Sequence, residues 1–397
     1  MIPLSLKEEI EGYRTEVLAL RKDFHEHPEL GYQEFRTSEV IYDYLKTLHF
    51  DTVRNISKTG VVGTLFGRVP EGKTVILRAN MDALPILEET GLNYASKTPG
   101  IMHAGGHDAH MAVTLVVGKL LSRHRQEFSG CIKLVFQPNE EIAGALDMIH
   151  AGVLEDPPAD AALSMNFTQM IDAGKIGLSE GVVLGNTEEF VLRLIGKSGN
   201  TYLPNRSIDA ALGAAKVMES IQLLETREYD PMHPISIMVG KIHGGSARNV
   251  VIDEITLEGT IRFLFPEGQE SIDTVKSSFE RIVRSVCGMM RLNYEISYIH
   301  SNSSLVNHRQ IVQNLRCAAR DTYGEQQNLV DFKSLMGEDF AEFGKRIPSA
   351  MTFFGVNNEK TQCVYPNYHP KFNLDEDILP GAVEYFFRAI LNLLRPA

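Results

Sequence analysis

Short apolar runs that alternate with amphipathic segments are the feature that most restricts how this chain can fold. The runs VVGTLF, TVILRA and CIKLVFQ have the length and composition of buried strands. They lie at 61–66, 74–79 and 131–137. Apolar residues at helical spacing predict helices over 5–29, 34–48 and 107–124. Buried strands that alternate with helices predict an α/β fold with a mixed, largely parallel sheet covered by helices on both faces.

The pattern changes near residue 185. EFVLRLIG alternates with period two, a helical stretch covers 207–225, and two strand-like runs, ISIMVGKIHGG and EITLEGTIRFLF, follow. An amphipathic segment at 268–290 then precedes the strand-like LNYEISYI. This order of strand, helix, two strands, helix and strand is typical of a ferredoxin-like α+β sheet with two helices on one face. We therefore expect an inserted domain, 184–296, within a discontinuous α/β domain formed by 1–183 and 297–397.

Composition excludes several classes of function. The chain has 397 residues, 43% of them hydrophobic, and a net charge of −12, which argues against binding to nucleic acid or to an anionic membrane. The four cysteines lack paired spacing, so neither a disulfide framework nor a thiolate metal cluster is predicted. The amino terminus lacks an apolar signal core, and no run of eighteen apolar residues occurs. A cytoplasmic protein is the expectation.

Three polar clusters follow or flank the predicted strands: RANMDALP at 78–85, HAGGHDAH at 103–110 and QPNEE at 137–141. Each alone has a structural explanation, since histidines cap helices and acidic residues complement helix dipoles. The carboxyl ends of neighbouring parallel strands, however, meet at one edge of a sheet, where active sites of open α/β folds gather. Together the clusters predict one active-site cleft.

The same motifs resemble a known family. RKDFHEHPELG, RANMDALP, MHAGGHDAH, FQPNEE and GVLED are similar to segments of the bacterial and plant N-acyl-amino-acid amidohydrolases, which include aminoacylase, hippurate hydrolase and the hydrolases of auxin conjugates. GKSGN, GGSARNVV, EGTIR, GEDF and HPKFNLDED match in the same order further along. The resemblance spans essentially the whole chain. It implies a zinc-peptidase-like catalytic domain and a lid domain through which such proteins form homodimers.

The resemblance also implies a pair of divalent metal ions, and here the chain departs from the family. The family's ligand positions fall on five residues: Gly105, His107, Glu141, Asn166 and Tyr368. Among these, His107 and Glu141 are of a ligand type, whereas glycine, asparagine and neutral tyrosine are poor zinc ligands. We therefore expect no metal cofactor. The alternative is one weakly bound divalent ion, held by His107, Glu141 and either His103 or Asp108.

Functional roles follow from the same comparison. It implies that Glu140 is the general base, with Glu141 beside it, and that Asp82 orients His107. Close approach of two buried carboxylates would raise the pKa of at least one of them. The remaining candidates are predicted to bind the substrate: Asn166, Asn200, Asn249, Arg262, Tyr368, His103 and His369.

Some of these roles have alternatives. Arg262 matches a position that binds the substrate carbonyl or carboxylate, although a strand-surface ion pair would explain an arginine there equally. His369 adjoins the ligand position Tyr368, and a shift by one residue reverses the direction of a side chain on an extended strand. Asn80 stands where the family has an aspartate.

The sequence thus predicts a metal-independent enzyme of amidohydrolase ancestry. Its substrate would be a small molecule with an N-acyl-amino-acid-like or peptidyl group, and the reaction would be acyl transfer, cyclisation or amide hydrolysis. One alternative is a catalytically inactive homologue that binds such a ligand or a protein partner. Another is an amidohydrolase with a weakened, single-metal site.

Overall fold

The computed structural model describes residues 5–265, 269–324 and 328–395. The described residues form two compact units. The first unit takes its residues from 1–181, 306–332 and 339–397, and the second from 182–305 and 333–338. No helix of the described residues is long and apolar enough to cross a membrane.

Strands and helices alternate along the first part of the chain, as the apolar runs predict. The strands are β1 Thr52–Ile56, β2 Gly60–Phe66, β3 Val69–Asn80, β4 Ser129–Gln137, β5 Ala161–Asp172, β6 Ile176–Gly177, β7 Gly181–Leu184, β8 Asn186–Ile195, β9 Gly199–Asn200, β10 Ile235–Gly244, β11 Val250–Val251, β12 Glu254–Phe263, β13 Asn293–Asn302, β14 Leu305–Asn307, β15 Leu329–Val330 and β16 Ser349–Asn357. The α-helices are α1 Ser5–Gly12, α2 Arg14–Glu26, α3 Phe35–Thr47, α4 His107–Arg123, α5 Gly144–His150, α6 Ala210–Leu223, α7 Gln269–Met290, α8 Arg309–Tyr323, α9 Ala341–Gly344 and α10 Leu379–Leu394.

The sheet of the first unit has the strand order β1-β2-β4-β3-β5-β16-β6-β15. Its central strands β4, β3, β5 and β16 run parallel, while β1, β2 and β6 pair antiparallel with a neighbour. This confirms the predicted mixed, largely parallel sheet. The helix α4 is buried along nearly its whole length and packs against α2, α10 and β3. Because α4 is fixed in the core, the residues at its first turn have fixed positions.

One predicted helix is divided. The helix predicted over 5–29 consists of α1 and α2, which meet at Gly12 and Tyr13, and it ends at Glu26. Glycine is a weak helix former, which explains the break. Pro28 disfavours helical backbone at the residue before it, which explains the earlier end.

The second unit contains a four-stranded antiparallel sheet with the order β10-β12-β8-β13. The helices α6 and α7 pack on it around a core that includes Phe190, Leu257 and Phe279. This is the strand order of a ferredoxin-like sheet. The helix predicted over 268–290 corresponds to α7, and residue 268 lies outside the described residues. The function of this unit as a lid stays a prediction.

Besides residues 182–183, the second unit includes two longer stretches that were expected in the α/β domain, 297–305 and 333–338. The first belongs there because β13 continues to Asn302. The second does so because Ser334 donates a backbone hydrogen bond to Val183, and the Leu335 carbonyl accepts one from the Arg262 side chain. Neither contact is readable from local sequence pattern.

A buried ion network joins α2 to the start of α4. Asp108 Oδ2 accepts from Arg21 Nε at 3.0 Å and from His25 Nδ1 at 2.8 Å, and His25 Nε2 lies 3.2 Å from Glu88 Oε1. Burial by itself lowers the pKa of His25, but the hydrogen bonds to Asp108 and Glu88 raise it above its ordinary value overall. The RKDFHEHPE motif therefore holds the first turn of α4 in place.

The raised pKa of His25 predicts a pH-dependent contribution to stability. A histidine whose pKa is higher in the folded state stabilises fully below its unfolded pKa of about 6.5, and that contribution is lost as pH rises through the folded pKa. Replacing His25 with Gln should therefore lower the free energy of unfolding more at about pH 6 than at about pH 9. Urea unfolding at both pH values measures the difference. An exposed control, His150→Gln, should cost little stability, and an equal loss for His25→Gln at both pH values would contradict the assignment.

Candidate active site

The three polar clusters converge at one edge of the sheet in the first unit. Asn80 ends β3 and pairs with Gln137, which ends β4. On the other side of β3, Arg78 pairs with Ser164 of β5, so Asn166, two residues further on, lies level with Asn80. The segments that carry Asp82 and Glu140 thus follow the ends of neighbouring strands, at the level where Asn166 lies within β5. This is the arrangement that the sequence predicts.

His107 is the first residue of α4 and is fixed by the segment that follows β3. The preceding Gly106 has a φ of 84°, in the left-handed region that favours glycine. His107 Nδ1 lies 2.8 Å from the Asp82 carbonyl oxygen and 3.3 Å from Asp82 Oδ1. Because a carbonyl oxygen can only accept, Nδ1 carries the proton. In the neutral imidazole, Nε2 therefore presents its lone pair.

Three groups surround that lone pair. Asn80 Nδ2 lies 3.2 Å from His107 Nε2, and Glu140 Oε2 lies 3.6 Å from it. A Cβ atom placed on Gly105 would lie 3.3 Å from the same nitrogen. Position 105 therefore points at Nε2, but glycine places no side chain there.

Glu140 and Glu141 lie in a 3₁₀ turn that spans Glu140–Ile142, directly after β4. The turn is held at both sides: Glu34 Oε1 accepts from the Asn139 backbone N–H at 3.0 Å, and Asp82 Oδ2 accepts from the Glu141 backbone N–H at 3.1 Å. The Glu140 side chain is 10% exposed, whereas Glu141 is exposed. Of the two carboxylates, Glu140 is thus the better placed to act in a sheltered cleft.

Asp82 and His107 stabilise each other's charged forms. Burial raises the pKa of Asp82, but its hydrogen bond and charge interaction with His107 lower it below the ordinary value overall. For His107, burial lowers the pKa, and the contacts with Asp82 raise it above the ordinary value overall. The Asp82 carboxylate is therefore ionised at neutral pH and can hold the imidazole in one orientation.

Two further histidines of the MHAGGHDAH motif are enclosed in the protein. His103 and His110 are 1% and 0% exposed, and within the described residues neither ring has a hydrogen-bond partner. Burial lowers the pKa of His103 to about 4 and that of His110 well below its ordinary value. Both rings are thus neutral at physiological pH. The predicted contact of His103 with a substrate stays a prediction.

The loop near the carboxyl terminus joins this cluster through Asn367, which the sequence analysis did not single out. Asn367 Nδ2 donates to the Gly105 carbonyl at 3.2 Å and to the Phe167 carbonyl at 2.9 Å. The next backbone N–H, of Tyr368, donates to the Ala104 carbonyl at 2.9 Å. One asparagine thus joins the backbone of Gly105 to that of Phe167, and Tyr368 beside it is bonded to Ala104. Its signal in the sequence was its place directly before a candidate residue.

Tyr368 and His369 differ in environment. Tyr368 has a φ of 70° and a side chain that is 52% exposed. His369 stacks on Tyr365 with 4.7 Å between the ring centroids, and its Nδ1 accepts from the Lys371 backbone N–H at 3.0 Å. These contacts give His369 a role in shaping the loop. Its predicted binding of substrate stays a prediction.

The residues at the family's ligand positions do not fit a pair of metal ions. The ligand atoms of His107, Glu140 and Glu141 lie within 4.8 Å of one another, so this group offers three donors. A pair of ions requires about three or four protein donors for each ion. Asp339 also approaches Glu140 within 4.8 Å, but its oxygens already accept hydrogen bonds from Arg78, Gln137 and Ala145. One ion is the most that the three donors could hold.

The remaining predicted residues lie in the second unit. Asn200 of β9 pairs with Val250 of β11, and the Asn249 carbonyl accepts from the Thr201 backbone N–H at 3.2 Å. Asn200 and Asn249 therefore lie close together on the paired backbone segments of this two-stranded sheet. Arg262 lies on β12, where its guanidinium donates to the Leu335 carbonyl at 3.1 Å. Among the described residues, Leu335 is the side-chain hydrogen-bond partner of Arg262, which leaves other N–H groups of the guanidinium for a ligand.

A buried ion pair joins Arg78, near the end of β3, to Asp339. Arg78 pairs with Asp339, and Gln137 bridges them: its Oε1 accepts from Arg78 Nε at 2.9 Å, and its Nε2 donates to Asp339 Oδ2 at 2.7 Å. Arg78 is 0% exposed. Both residues stand in motifs that the sequence analysis noted, RANMD and GEDF, yet the pairing joins positions 261 apart and could not be read from either motif.

Removing the arginine from this pair should be strongly destabilising. Arg78→Met leaves the Asp339 carboxylate buried without its cation, and the loss of one partner of a buried pair typically costs about 3–5 kcal/mol. A matched control is Arg125→Met, which breaks a half-exposed pair with Asp51 and should cost less than about 1 kcal/mol. Denaturant unfolding of both variants measures the two costs, and equal costs would contradict the buried-pair assignment.

The chain resembles known hydrolases along nearly its whole length. A profile of the peptidase family M20/M25/M40 matches residues 76–392. Thermostable carboxypeptidase 1 of Saccharolobus solfataricus is 32% identical over 393 residues, 97% of each chain. N-acetyl-L-cysteine deacetylase of Bacillus subtilis is 32% identical over 397 residues, 98% of this chain and 92% of the deacetylase. A solved Bacillus subtilis structure, described as a dinuclear metal binding peptidase from the M20 family, matches with a TM-score of 0.83 and 30% identity over 97% of this chain and 99% of the other.

Proposed function

Because the chain belongs to the peptidase family M20/M25/M40, we propose that it acts on the acyl–nitrogen bond of an N-acyl-amino-acid-like or peptidyl substrate without a metal pair. The names of two relatives, a carboxypeptidase and an N-acetyl-L-cysteine deacetylase, fit this class of substrate. The sheltered position of Glu140 next to His107 fits an enzyme rather than a passive binding protein.

The shortage of ligands around His107 is the observation that carries metal independence. Position 105 points at Nε2 and offers no side chain, and Asn80 donates to the same nitrogen. Asn166 and Tyr368 stand at the two other altered positions and supply an amide and a phenol. Such groups donate hydrogen bonds to a carbonyl oxygen more readily than they bind a zinc ion.

In the proposed reaction Glu140 accepts the proton of the nucleophile as that nucleophile attacks the acyl carbon. The protonated Glu140 then returns the proton to the departing group, so that it serves as base and acid in turn. Without a Lewis acid, several kcal/mol of transition-state stabilisation are missing. We therefore expect an activated acyl group, or an amine or hydroxyl nucleophile that leads to transfer or cyclisation, in preference to the hydrolysis of a plain amide.

The substrate is proposed to carry a carboxylate. In the second unit Arg262 has N–H groups beyond the one that binds Leu335, and Asn200 and Asn249 lie on the two backbone segments that pair through β9 and β11. An arginine guanidinium recognises a carboxylate through paired hydrogen bonds. A substrate with a free carboxylate, as in an N-acyl amino acid, suits these groups.

A homodimer is proposed through the second unit. The edge strand β10 exposes Met238 and Ile242, which are 60% and 55% exposed. Exposed apolar edge strands are prone to pair with another chain. Light scattering should give a mass of two 44.3 kDa chains, and Ile242→Lys should shift the protein toward the single chain. A single chain for the unaltered protein would contradict the dimer.

A single-ion amidohydrolase is the second candidate. The observation in its favour is the group formed by His107, Glu140 and Glu141, whose ligand atoms lie within 4.8 Å of one another. In that case Glu140 or Glu141 would be a ligand, and added zinc or manganese would raise the turnover of the purified protein.

An assay on a panel of N-acyl amino acids, their activated esters and short peptides tests the proposal. The panel is run with and without a chelator, and products are identified by mass spectrometry. Turnover that survives chelation supports the metal-independent enzyme. Turnover that chelation removes and one ion per chain restores favours the second candidate. Ligands that raise the melting temperature but yield no product would contradict both and indicate a binding protein.

A further inference from the structure

The contact between Asn80 and His107 points to a role for a residue at which this chain differs from the family pattern. Asn80 is the last residue of β3, is 0% exposed, and pairs through its backbone with Gln137. A side chain at a buried strand end has little freedom, so its amide is held against the imidazole. The 3.2 Å separation from Asn80 Nδ2 to His107 Nε2 is that of a hydrogen bond at the long end of the usual range.

The proton on Nδ1, on the other side of the ring, decides the direction of this hydrogen bond. His107 Nδ1 must donate, because the Asp82 carbonyl oxygen at 2.8 Å can only accept. Burial lowers the pKa of His107, but contacts with Asp82 raise it overall, so the ring is neutral above that raised pKa; in this form Nε2 is an acceptor, and the group that faces it must be the donor. With the amide turned over, Oδ1 would face the lone pair of Nε2, and both N–H groups of the amide would lose this partner. The orientation with Nδ2 toward His107 is therefore favoured.

We propose that Asn80 is a positioning residue that takes the place of the metal. Its Nδ2–H donates a hydrogen bond to the lone pair on Nε2 of the neutral His107 ring, and this bond fixes the orientation of the ring at the wall of the cleft. This inference rests on the proposed metal-independent function. A metal ion needs the same lone pair, so the amide competes with it directly. An aspartate at this position, as in the family pattern, has no N–H to offer and would leave the lone pair available.

The amide oxygen of Asn80, Oδ1, also has a role. Asn80 Oδ1 is buried and has no hydrogen-bond partner within the described residues. An unpaired buried acceptor typically costs about 1–3 kcal/mol, so a donor is expected there. The chemical class of that donor is an O–H or N–H group, either of a water molecule or of the substrate amide. Asn80 thus links the orientation of His107 to the group that enters the cleft.

A substitution that exchanges the amide nitrogen of Asn80 for an oxygen tests the proposal. Asn80→Asp keeps the shape of the side chain, removes the N–H donor and adds a carboxylate to the donors His107, Glu140 and Glu141. The matched control is Asn55→Asp, which makes the same change on the exposed face of β1. Cobalt(II) binding is measured by equilibrium dialysis and by the visible absorption of the bound ion. We expect Asn80→Asp to bind cobalt at least about tenfold more tightly than the unaltered protein, with Asn55→Asp unchanged.

A second measurement needs no folded variant at position 80. Nitrogen-15 NMR of the unaltered protein, with His107→Gln to assign the signal, reports which ring nitrogen carries the proton. The spectra are recorded through a pH titration, and above the pKa of His107 the expected result is a neutral ring protonated at Nδ1, with Nε2 shifted as an acceptor of a hydrogen bond. A neutral ring protonated at Nε2, or a folded Asn80→Asp variant that binds cobalt no better than Asn55→Asp, would overturn the inference.

The outcomes also separate this inference from the proposed function. If the unaltered protein already holds a tightly bound metal pair, the proposed function fails and the role of Asn80 fails with it. If the unaltered protein turns over substrate in chelator but Asn80→Asp gains no affinity for cobalt, the proposed function stands and the role of Asn80 alone fails.

Discussion

Replacing Glu140 with Gln is expected to lower kcat by about 10²–10⁴-fold, the usual contribution of a general base. Glutamine has nearly the same shape but cannot accept the proton of the nucleophile. Glu140 lies 3.6 Å from His107 Nε2 and is 10% exposed, so the change falls at the reacting centre. The 3₁₀ turn is held through the backbone N–H groups of Asn139 and Glu141, which the substitution leaves intact. Stability should therefore be unchanged.

The measurement is kcat and KM on any substrate that the panel identifies, together with the melting temperature of the variant. A matched control is Glu39→Gln on the exposed face of α3, which should leave both constants unchanged. The Glu140→Gln variant should still bind substrate, because the carboxylate that the substitution removes serves to accept the proton of the nucleophile. Full turnover by a folded Glu140→Gln variant would exclude Glu140 as the base.

Restoring the missing ligands together is expected to create a metal pair. The variant Gly105→Cys/Asn166→His/Tyr368→His adds three ligand-type side chains to His107 and Glu141. The geometry favours this gain, because a Cβ at position 105 points at His107 Nε2, and Asn367 ties positions 105 and 167 together. Histidine tolerates the φ of 70° at position 368 better than most residues do. We expect zinc content to rise to about two ions per chain.

The matched control keeps side-chain size but adds no good ligand: Gly105→Ser/Asn166→Gln/Tyr368→Phe. Zinc is measured by elemental analysis after dialysis against metal-free buffer. The control should retain no more zinc than the unaltered protein. If the triple ligand variant is folded and also retains no more, these three positions alone do not decide whether the cleft binds a metal pair.

Much of the fold can be predicted from the sequence because it depends on periodicity. Apolar runs bounded by helices locate β2, β3 and β4, and the order of strands and helices after residue 185 identifies the four-stranded sheet of the second unit. Domain edges are harder, since they depend on contacts between distant segments. The 333–338 segment belongs to the second unit through hydrogen bonds to Val183 and Arg262, residues far from it along the chain.

The candidate site divides in the same way. The strand ends locate Asp82 and Glu140, the start of a predicted helix locates His107, and the resemblance supplies their roles. The state of His107 could not be predicted, because it depends on the Asp82 backbone carbonyl rather than on any side chain. The bridge formed by Asn367 could not be predicted either, because it binds two carbonyl oxygens about two hundred positions or more away in sequence. Such contacts become visible only in three dimensions.

The metal content of the unaltered protein is the most direct measurement. The protein is produced with added zinc, purified without chelator, and analysed for metal per chain while its turnover is followed with and without chelator. A cleft with three donors at His107, Glu140 and Glu141 should retain less than one ion per chain, and its turnover should persist in chelator. Two tightly held ions per chain, with turnover lost on their removal, would show that the protein is an ordinary two-metal hydrolase.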